Sequence, residues 1–244
     1  MRLMDSYIDI HSHILPQLDD GAEDFEMSMK MLHIAEQSGI CQIIMTPHNK
    51  PMHHNASPKT IQSVIQKLEK EISGSKMQIR LYAGNEIYYR SDILELLEEG
   101  RACTMAGSSY VLVEFNPMDD FEYIRRGLYK VLSGGYRPII AHIERYRNVC
   151  AKEERVEELI EMGCYVQVNA RSIMGQYGLG TKGFAKRLLK EGMVHFVATD
   201  AHDPDRRKPD LAECVRYISR KYGEAFARRL VYENPVHVIK NEYI

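Results

Sequence analysis

The sequence has few cysteines, no long apolar run and no excess of charge of either sign. Its five cysteines are scattered, odd in number and free of any C-x-x-C pair, so a disulfide framework is not indicated. No apolar run approaches the roughly 20 residues that a transmembrane helix needs. We therefore expect a reduced, cytoplasmic protein that does not insert into a membrane.

The charge distribution excludes two further classes of partner. The formal net charge is −2, and Lys and Arg are spread along the chain, which argues against a nucleic-acid-binding surface and against a polybasic membrane patch. Met1–Asp5 carries no apolar segment of a signal peptide, and we expect none. The length of 244 residues and the apolar fraction of 44% suit one globular domain, residues 1–244.

Short runs rich in Val, Ile and Tyr alternate along the chain with amphipathic stretches that close near glycine. The predicted strands are Tyr7–Ile10, Gln42–Thr46, Gln78–Ala83, Tyr110–Phe115, Pro138–Ala141, Tyr165–Val168 and Val194–Thr199. The helical stretches between them end near Gly39, Gly74, Gly100, Gly134, Gly163 and Gly192. Apolar strands that alternate with helices predict an α/β fold with a parallel sheet. We expect a TIM-like barrel of seven units, with a doubly wound open sheet as the alternative.

Local signals mark several helix starts and one loop. Ser57-Pro58 is typical of a helix N-terminus, and Asn234-Pro235 predicts a short terminal helix. Asp20-Gly21-Ala22-Glu23 has the pattern of a capping box for the first helix, so Asp20 is either a cap or a site residue. The segment Asn49–Ser57 is predicted to form an exposed loop over the barrel mouth.

Side chains that can bind metal follow six of the seven predicted strands. In parallel α/β folds, functional groups lie at the carboxyl ends of strands. These side chains are His11, His13, His48, Glu86, Glu114, His142, Asp200 and His202. The sixth strand offers Gln167 and Asn169 instead. A single histidine after a strand is more often a hydrogen-bonding residue, and a carboxylate often caps a helix, but the repetition favours a metal site.

With Asp20 the candidate ligands exceed the number that one ion needs, so we expect two or three ions. Imidazole and carboxylate ligands without thiolate favour Mn²⁺, with Fe²⁺ or Zn²⁺ as alternatives. Such a cluster would attract a phosphate dianion and stabilise a negative transition state. Arg145, three residues beyond His142, lies at the same rim and could bind phosphate through its guanidinium fork.

The strand-end motifs resemble those of the polymerase and histidinol phosphatase (PHP) superfamily. They are His11-Ser12-His13, Thr46-Pro47-His48, Gly84–Tyr89, Val113-Glu114-Phe115, His142–Tyr146 and Thr199–His202. Within that superfamily, the chain is most similar to the bacterial capsule and exopolysaccharide tyrosine phosphatases. The segment His11–Pro16 followed by Asp19-Asp20-Gly21, and the run Glu86–Tyr89, carry this closer resemblance.

The resemblance implies a distorted (β/α)7 PHP barrel with a trinuclear, usually manganese, centre that hydrolyses phosphotyrosine. The partner it implies is the phosphotyrosine-bearing tail of a bacterial tyrosine kinase. The implied metal ligands form three groups: His11, His13, Glu86 and Asp200; then Glu86, Glu114 and His142; then Asp20, His48 and His202. Arg145 matches the family's phosphate-binding arginine. His202 is a candidate general acid where it is not committed to metal.

Three other functions compete with this interpretation: a small-molecule phosphatase of the histidinol-phosphatase type, a nuclease, and a non-catalytic metal-binding module. The chain also contains a match to the Cys-x5-Arg pattern of cysteine-dependent tyrosine phosphatases, from Cys214 to Arg220. A phosphate-binding loop favours glycine, and this segment has none. We predict instead a helix with Cys214 on its apolar face, where the thiol is inert.

Overall fold

The computed structural model describes residues 6–244, and its strands form a curled sheet in which all neighbours are parallel. The strands are β1 (Tyr7–Ser12), β2 (Ile40–Met45), β3 (His48–Asn49), β4 (Arg80–Ala83), β5 (Glu86–Tyr88), β6 (Tyr110–Glu114), β7 (Arg137–Ile140), β8 (Tyr165–Asn169) and β9 (Phe196–Ala198). The hydrogen-bonded orders are β1-β2-β4 and β3-β5-β6-β7-β8-β9. The prediction about Met1–Asp5 concerns residues outside the described part.

Two of the seven predicted strands are each followed, after a two-residue interruption, by a second short strand that was not predicted, and the two sheets join across these interruptions. Thr46-Pro47 separates β2 from β3, because proline has no N–H to donate to the ladder. Gly84-Asn85 separates β4 from β5. The Glu86 N–H faces the carbonyl oxygens of Thr46 at 3.4 Å and Pro47 at 3.3 Å. Each interrupted pair therefore acts as one strand of the barrel.

Hydrogen bonds between the first and last strands close the sheet. The Asp200 N–H donates to the His11 carbonyl at 2.9 Å, and the His13 N–H donates to the Ala201 carbonyl at 2.8 Å. Ser12 and Ala201 form a parallel bridge. This closure confirms the (β/α)7 barrel and excludes the doubly wound open sheet.

Helices cover the outside of the barrel. They are α1 (Phe25–Gln37), α2 (Pro58–Gly74), α3 (Ile93–Glu98), α4 (Phe121–Ser133), α5 (Arg147–Cys150), α6 (Glu154–Glu161), α7 (Ala170–Met174), α8 (Leu179–Lys190), α9 (Ala212–Tyr222), α10 (Glu224–Arg228) and α11 (Asn234–Lys240). Turns of 3₁₀ helix lie at Met105–Gly107 and Ile143–Arg145, and a π-helical segment spans Arg229–Glu233. In residues 6–244, no helix has both the length and the apolar character needed to cross a membrane.

The helix starts confirm some local predictions and correct others. Ser57 caps α2 by accepting the Thr60 N–H at 3.1 Å. The capping-box interpretation of Asp20 is wrong, because α1 is capped by Asp24, whose Oδ1 accepts the Met27 N–H at 2.8 Å. Asn49 is buried in β3, so the exposed loop begins one residue later than predicted. Asp20 is therefore free to face the barrel mouth.

The barrel interior is apolar below the mouth and polar at it. A cluster of buried strand residues that includes Ile8, Ile10, Leu112 and Phe196 fills the lower interior. Glu114 lies two residues after Leu112 on β6 and points to the same face. A bulge in β1 places three residue steps, Asp9 to Ser12, opposite two steps of β2, and such bulges re-aim side chains.

Candidate metal centre

All nine predicted ligands lie in one cluster at the carboxyl ends of the strands. Their ligand atoms form four overlapping groups, in each of which the atoms lie within 4.8 Å of one another. The groups are His13, Asp20, His48 and His202; His11, Glu86 and His142; His11, His13 and Asp200; and His48, Glu86 and Glu114. Strand order thus brings together side chains that are up to 191 residues apart in the chain.

His11 near the end of β1 and His13 just after it point their Nε2 atoms at each other, 3.2 Å apart. Glu86 Oε2 lies 3.3 Å from the Nε2 of His11 and 3.4 Å from that of His13. Asp200 Oδ1 lies 3.6 Å from both nitrogens. Two imidazole nitrogens and two carboxylates therefore converge on one point, as ligands of a shared cation do.

Glu86 is the central carboxylate of the cluster. Its Oε1 lies 2.8 Å from His142 Nε2, and its Oε2 lies 2.9 Å from His48 Nδ1. Glu114 reaches the same two imidazoles, with 3.6 Å to His142 Nε2 and 3.6 Å to His48 Nδ1. Glu86 therefore lies between neighbouring groups of ligands, a position that suits a bridging ligand.

Asp20 and His202 complete the cluster on its solvent side. Asp20 Oδ1 lies 3.3 Å from His48 Nε2 and 3.6 Å from His202 Nε2. The Asp20 side chain is 64% exposed, whereas that of His202 is 6% exposed. His48 therefore faces Asp20 with one nitrogen and the two glutamates with the other.

Unsatisfied polar atoms test whether the cluster fits a metal. Among the described residues, three buried atoms that face other ligands of the cluster have no hydrogen-bond partner: His48 Nδ1, Glu86 Oε2 and Glu114 Oε2. His48 Nδ1 and Glu86 Oε2 face each other at 2.9 Å without hydrogen-bond geometry. Buried polar atoms left unpaired are costly, and a cation would satisfy them. Imidazole and carboxylate donors without thiolate fit a divalent transition metal.

The carboxylates shift the histidine pKa values strongly. Although burial opposes it, Glu86 and Asp200 raise the pKa of His11 to about 9. Glu86 and Asp20 likewise raise the pKa of His48 to about 10 against the effect of burial. Burial and the neighbouring His13 lower the pKa of His202 to about 3. Without metal, protons therefore sit on His11 and His48, and metal binding must release them.

Asp19 is a site residue that the sequence analysis missed. Its Oδ2 accepts the His13 Nδ1–H at 2.6 Å and the His48 backbone N–H at 2.9 Å. Asp19 therefore orients one imidazole and anchors the strand that carries another, as carboxylates beside metal-binding histidines commonly do. The signal available in the sequence was its position beside Asp20 in Asp19-Asp20-Gly21.

Asp200 is held from two sides by residues that the sequence analysis did not assign to the metal site. The Asn169 amide nitrogen donates to Asp200 Oδ2 at 2.8 Å, and Arg207 Nη2 lies 2.9 Å from Asp200 Oδ1. Gln167 Oε1 accepts the His11 Nδ1–H at 3.1 Å and the His142 backbone N–H at 2.8 Å. The sixth predicted strand therefore contributes hydrogen bonds to the cluster. Arg207 lies in a loop and had no local signal.

Arg145 approaches the cluster from the rim. It ends the turn Ile143–Arg145 after β7, and its Nη1 lies 3.9 Å from Asp200 Oδ2 while the side chain is 38% exposed. This solvent-facing guanidinium can bind an anion over the cluster.

His142 and Asp200 both adopt left-handed backbone conformations, with φ of 33° and 52°. Such conformations are costly for residues other than glycine and concentrate at functional sites. The strained backbone at His142 and Asp200 is therefore consistent with a functional site.

The chain matches proteins of known family over nearly its whole length. A family model described as "Capsular polysaccharide synthesis, CpsB/CapC" matches residues 7–240. The tyrosine-protein phosphatase CpsB of Streptococcus agalactiae serotype III (strain NEM316) is 36% identical over 242 residues, covering 97% of this chain and 100% of that protein.

Solved structures agree with the sequence comparison. A structure from the work on YwqE from Bacillus subtilis and CpsB from Streptococcus pneumoniae, described there as unique metal-dependent tyrosine phosphatases, superposes with a TM-score of 0.91. It is 30% identical, and the match covers 97% of this chain and 96% of that one. A Lactococcus lactis histidinol phosphate phosphatase complexed with zinc, L-histidinol and phosphate shares the fold, with a TM-score of 0.59, 15% identity, and coverage of 89% and 94%.

Proposed function

Because the chain belongs to the CpsB/CapC family of capsular polysaccharide synthesis, we propose that it is a metal-dependent protein-tyrosine phosphatase. Its substrate is the phosphotyrosine-bearing tail of a bacterial tyrosine kinase that controls capsule or exopolysaccharide synthesis. The convergence of imidazoles and carboxylates from six strands is the observation that carries the proposal. Residues 1–244 form one phosphatase domain.

The cluster holds two or three ions, which we propose are Mn²⁺, with Fe²⁺ or Zn²⁺ as alternatives. The proposed ligands are His11, His13, Asp20, His48, Glu86, Glu114, His142, Asp200 and His202. Divalent ions bound there would lower the pKa of water and offset the charge of a phosphoryl group. The unpaired buried atoms of His48, Glu86 and Glu114 support this assignment.

The residues of the chain itself bind and orient the phosphoryl group. Arg145 lies beside Asp200 at the rim, where its fork can hold two phosphoryl oxygens. The leaving tyrosinate has a reference pKa of about 10, so it departs with less help from an acid than an alkoxide needs. His202 is the candidate proton donor where it does not bind metal. Burial and the neighbouring His13 lower the pKa of its imidazole to about 3 in the metal-free protein, which argues against this role, because a neutral imidazole is a poor proton donor.

Turnover with two substrates tests the proposal. The Mn²⁺-loaded protein should hydrolyse a phosphotyrosine peptide faster than histidinol phosphate. His11→Ala should lose at least one metal equivalent by elemental analysis, together with activity. His33→Ala, which removes an exposed histidine from α1, should change neither. Preference for histidinol phosphate would favour the small-molecule phosphatase, and full activity after exhaustive chelation would exclude a metal mechanism.

A further inference from the structure

A cavity of about 240 Å³ opens beside the metal cluster. We call it the mouth cavity. Asp20 and His48 line its inner side, and Lys50, His53, His54 and Asn55 line its outer side. A cavity of this size beside the cluster is large enough to admit a phosphorylated side chain.

Asn55 fixes the backbone of Lys50 at the base of the loop. The Lys50 N–H donates to Asn55 Oδ1 at 2.8 Å, and Asn55 Nδ2 donates to the Lys50 carbonyl at 2.8 Å. Lys50 directly follows β3 and lies two residues after His48, so in extended chain both side chains project to the same side. The loop is therefore closed in a way that directs Lys50 toward the cluster.

The Lys50 ammonium lies beside a cluster carboxylate but does not bind it tightly. Nζ is 3.9 Å from Glu114 Oε2, and the lysine side chain is 29% exposed. Among the described residues this is the one ion pair that Lys50 makes, and no hydrogen bond from Nζ is formed. Such a loose, partly exposed pair contributes little to stability, so the pair with Glu114 does not by itself account for a lysine ammonium at this position.

Lys50 and Arg145 flank the cluster in the same manner. Each places a cation 3.9 Å from a cluster carboxylate, Glu114 for Lys50 and Asp200 for Arg145. When metal ions compensate these carboxylates, both cations remain available to an anion in the barrel mouth. Lysine binds phosphate as a compact point charge with three donors.

We propose that the mouth cavity is the substrate subsite and that Lys50 Nζ binds a phosphoryl oxygen of the substrate there. This inference rests on the proposed phosphatase function and adds a second phosphate-binding cation to it. Asn55 is a positioning residue, which acts through the Lys50 backbone. No bond is made or broken at Lys50, because its part is to bind the phosphoryl group.

Steady-state kinetics of three lysine variants test the proposal. Lys50→Ala should raise the KM for a phosphotyrosine peptide and the inhibition constant of inorganic phosphate by about 10-fold, with unchanged metal content. Lys50→Arg should restore most of the affinity for peptide and phosphate, because it keeps the charge. Lys59→Ala removes the same charge from an exposed position in the first turn of α2 and should behave like the wild type.

A double-mutant cycle tests the role of Asn55. Asn55→Ala should raise the KM and the phosphate inhibition constant several-fold, since the Lys50 backbone is released. Because both residues act through one ammonium group, KM and the phosphate inhibition constant of the double variant should rise no further than those of Lys50→Ala alone. Additive losses would show that Asn55 acts independently and would overturn its positioning role.

Two results would overturn the role of Lys50 itself. One is wild-type KM and wild-type phosphate inhibition in Lys50→Ala. The other is a loss of metal from that variant, because Lys50 would then serve Glu114 and not the substrate. If the wild type does not hydrolyse the peptide, calorimetry with inorganic phosphate on the metal-loaded proteins still decides: about 10-fold weaker binding by Lys50→Ala supports the subsite, and equal binding overturns it.

Discussion

At the scale of the residue, three of the proposed ligands depend on neighbours that orient them. His13 is held by Asp19, His11 by Gln167, and Asp200 by Asn169. A fixed ring orientation brings the ligand nitrogens to one point before any ion arrives, which lowers the cost of ordering them. The positioning residues should therefore affect metal affinity nearly as strongly as the ligands do.

Asp19→Asn tests this dependence. Asparagine lacks the negative charge that strengthens the bond to His13, and its NH2 group cannot accept the Gly21 N–H as Asp19 Oδ1 does at 3.0 Å, so His13 should lose its fixed orientation. We expect metal affinity to fall by about 10–100-fold, measured by competition with a chelator of known affinity. Asp205→Asn, at an exposed position of the β9–α9 loop, provides the control. Equal metal affinity in Asp19→Asn and the wild type would show that the contact is dispensable.

Arg145 separates phosphate binding from metal binding. Arg145→Ala should leave metal content unchanged and lower kcat/KM by about 10²–10³-fold, the usual cost of losing one charged transition-state contact. Arg145→Lys should recover part of the activity, because it keeps the charge without the fork. Arg147→Ala, at an exposed neighbouring position, should have normal kinetics. Normal kinetics in Arg145→Ala itself would make Arg145 a solvated surface charge.

At the scale of the element, the Cys214–Arg220 segment shows how secondary structure decides the meaning of a motif. The segment lies within α9, and Cys214 is 2% exposed. Burial raises the pKa of the Cys214 thiol well above its usual value, so little thiolate exists near neutral pH. A helix also cannot wrap its backbone N–H groups around a phosphate. The match to Cys-x5-Arg therefore carries no catalytic meaning.

Cys214→Ser should keep phosphatase activity, with at most a modest loss of stability from placing a hydroxyl in the core. Metal chelation should inactivate the wild type, whereas alkylation with iodoacetamide should not. Cys41→Ser, a change at a half-buried cysteine of β2, controls for the general effect of the substitution. A Cys214→Ser protein that folds and binds its metals but has no activity would contradict the metal mechanism.

At the scale of the whole molecule, the metal cluster links the strands that form the barrel wall. Its side chains come from the ends of every barrel strand except β8, and β8 contributes Gln167 and Asn169 to the same network. The sheet closes at the cluster too, since the bonds between β1 and the β9 end involve His11, His13 and Asp200. Metal binding should therefore stabilise the barrel as a unit.

Thermal unfolding measures this coupling. At a free Mn²⁺ concentration of 100 times Kd, binding should stabilise the protein by about 2.7 kcal/mol. For a chain of this size, about 2–4 °C of Tm corresponds to each kcal/mol, so Tm should rise by roughly 5–10 °C. The rise should disappear with chelator and shrink in His11→Ala. A Tm independent of metal would show that the cluster and the barrel fold are not coupled.

The sequence by itself determined the order of strands and helices and the residues at the strand ends. The period of apolar residues is local, and a strand followed by a helix leaves few arrangements other than a parallel sheet. Since parallel strands end on one side, the histidines and carboxylates after them could be assigned to one site before any distance was known. Ser57 as a cap and α9 as a helix were predictable for the same local reason.

The tertiary structure alone decided which distant groups meet. The contact of Arg207 with Asp200, the clamp between Asn55 and Lys50, and the convergence of His48 on both Asp20 and Glu86 depend on how far loops fold back over the mouth. The β1 bulge likewise follows from the register of neighbouring strands. Short-range patterns do not encode these distances, because they arise only when the barrel closes and segments remote in the chain compete for the same space.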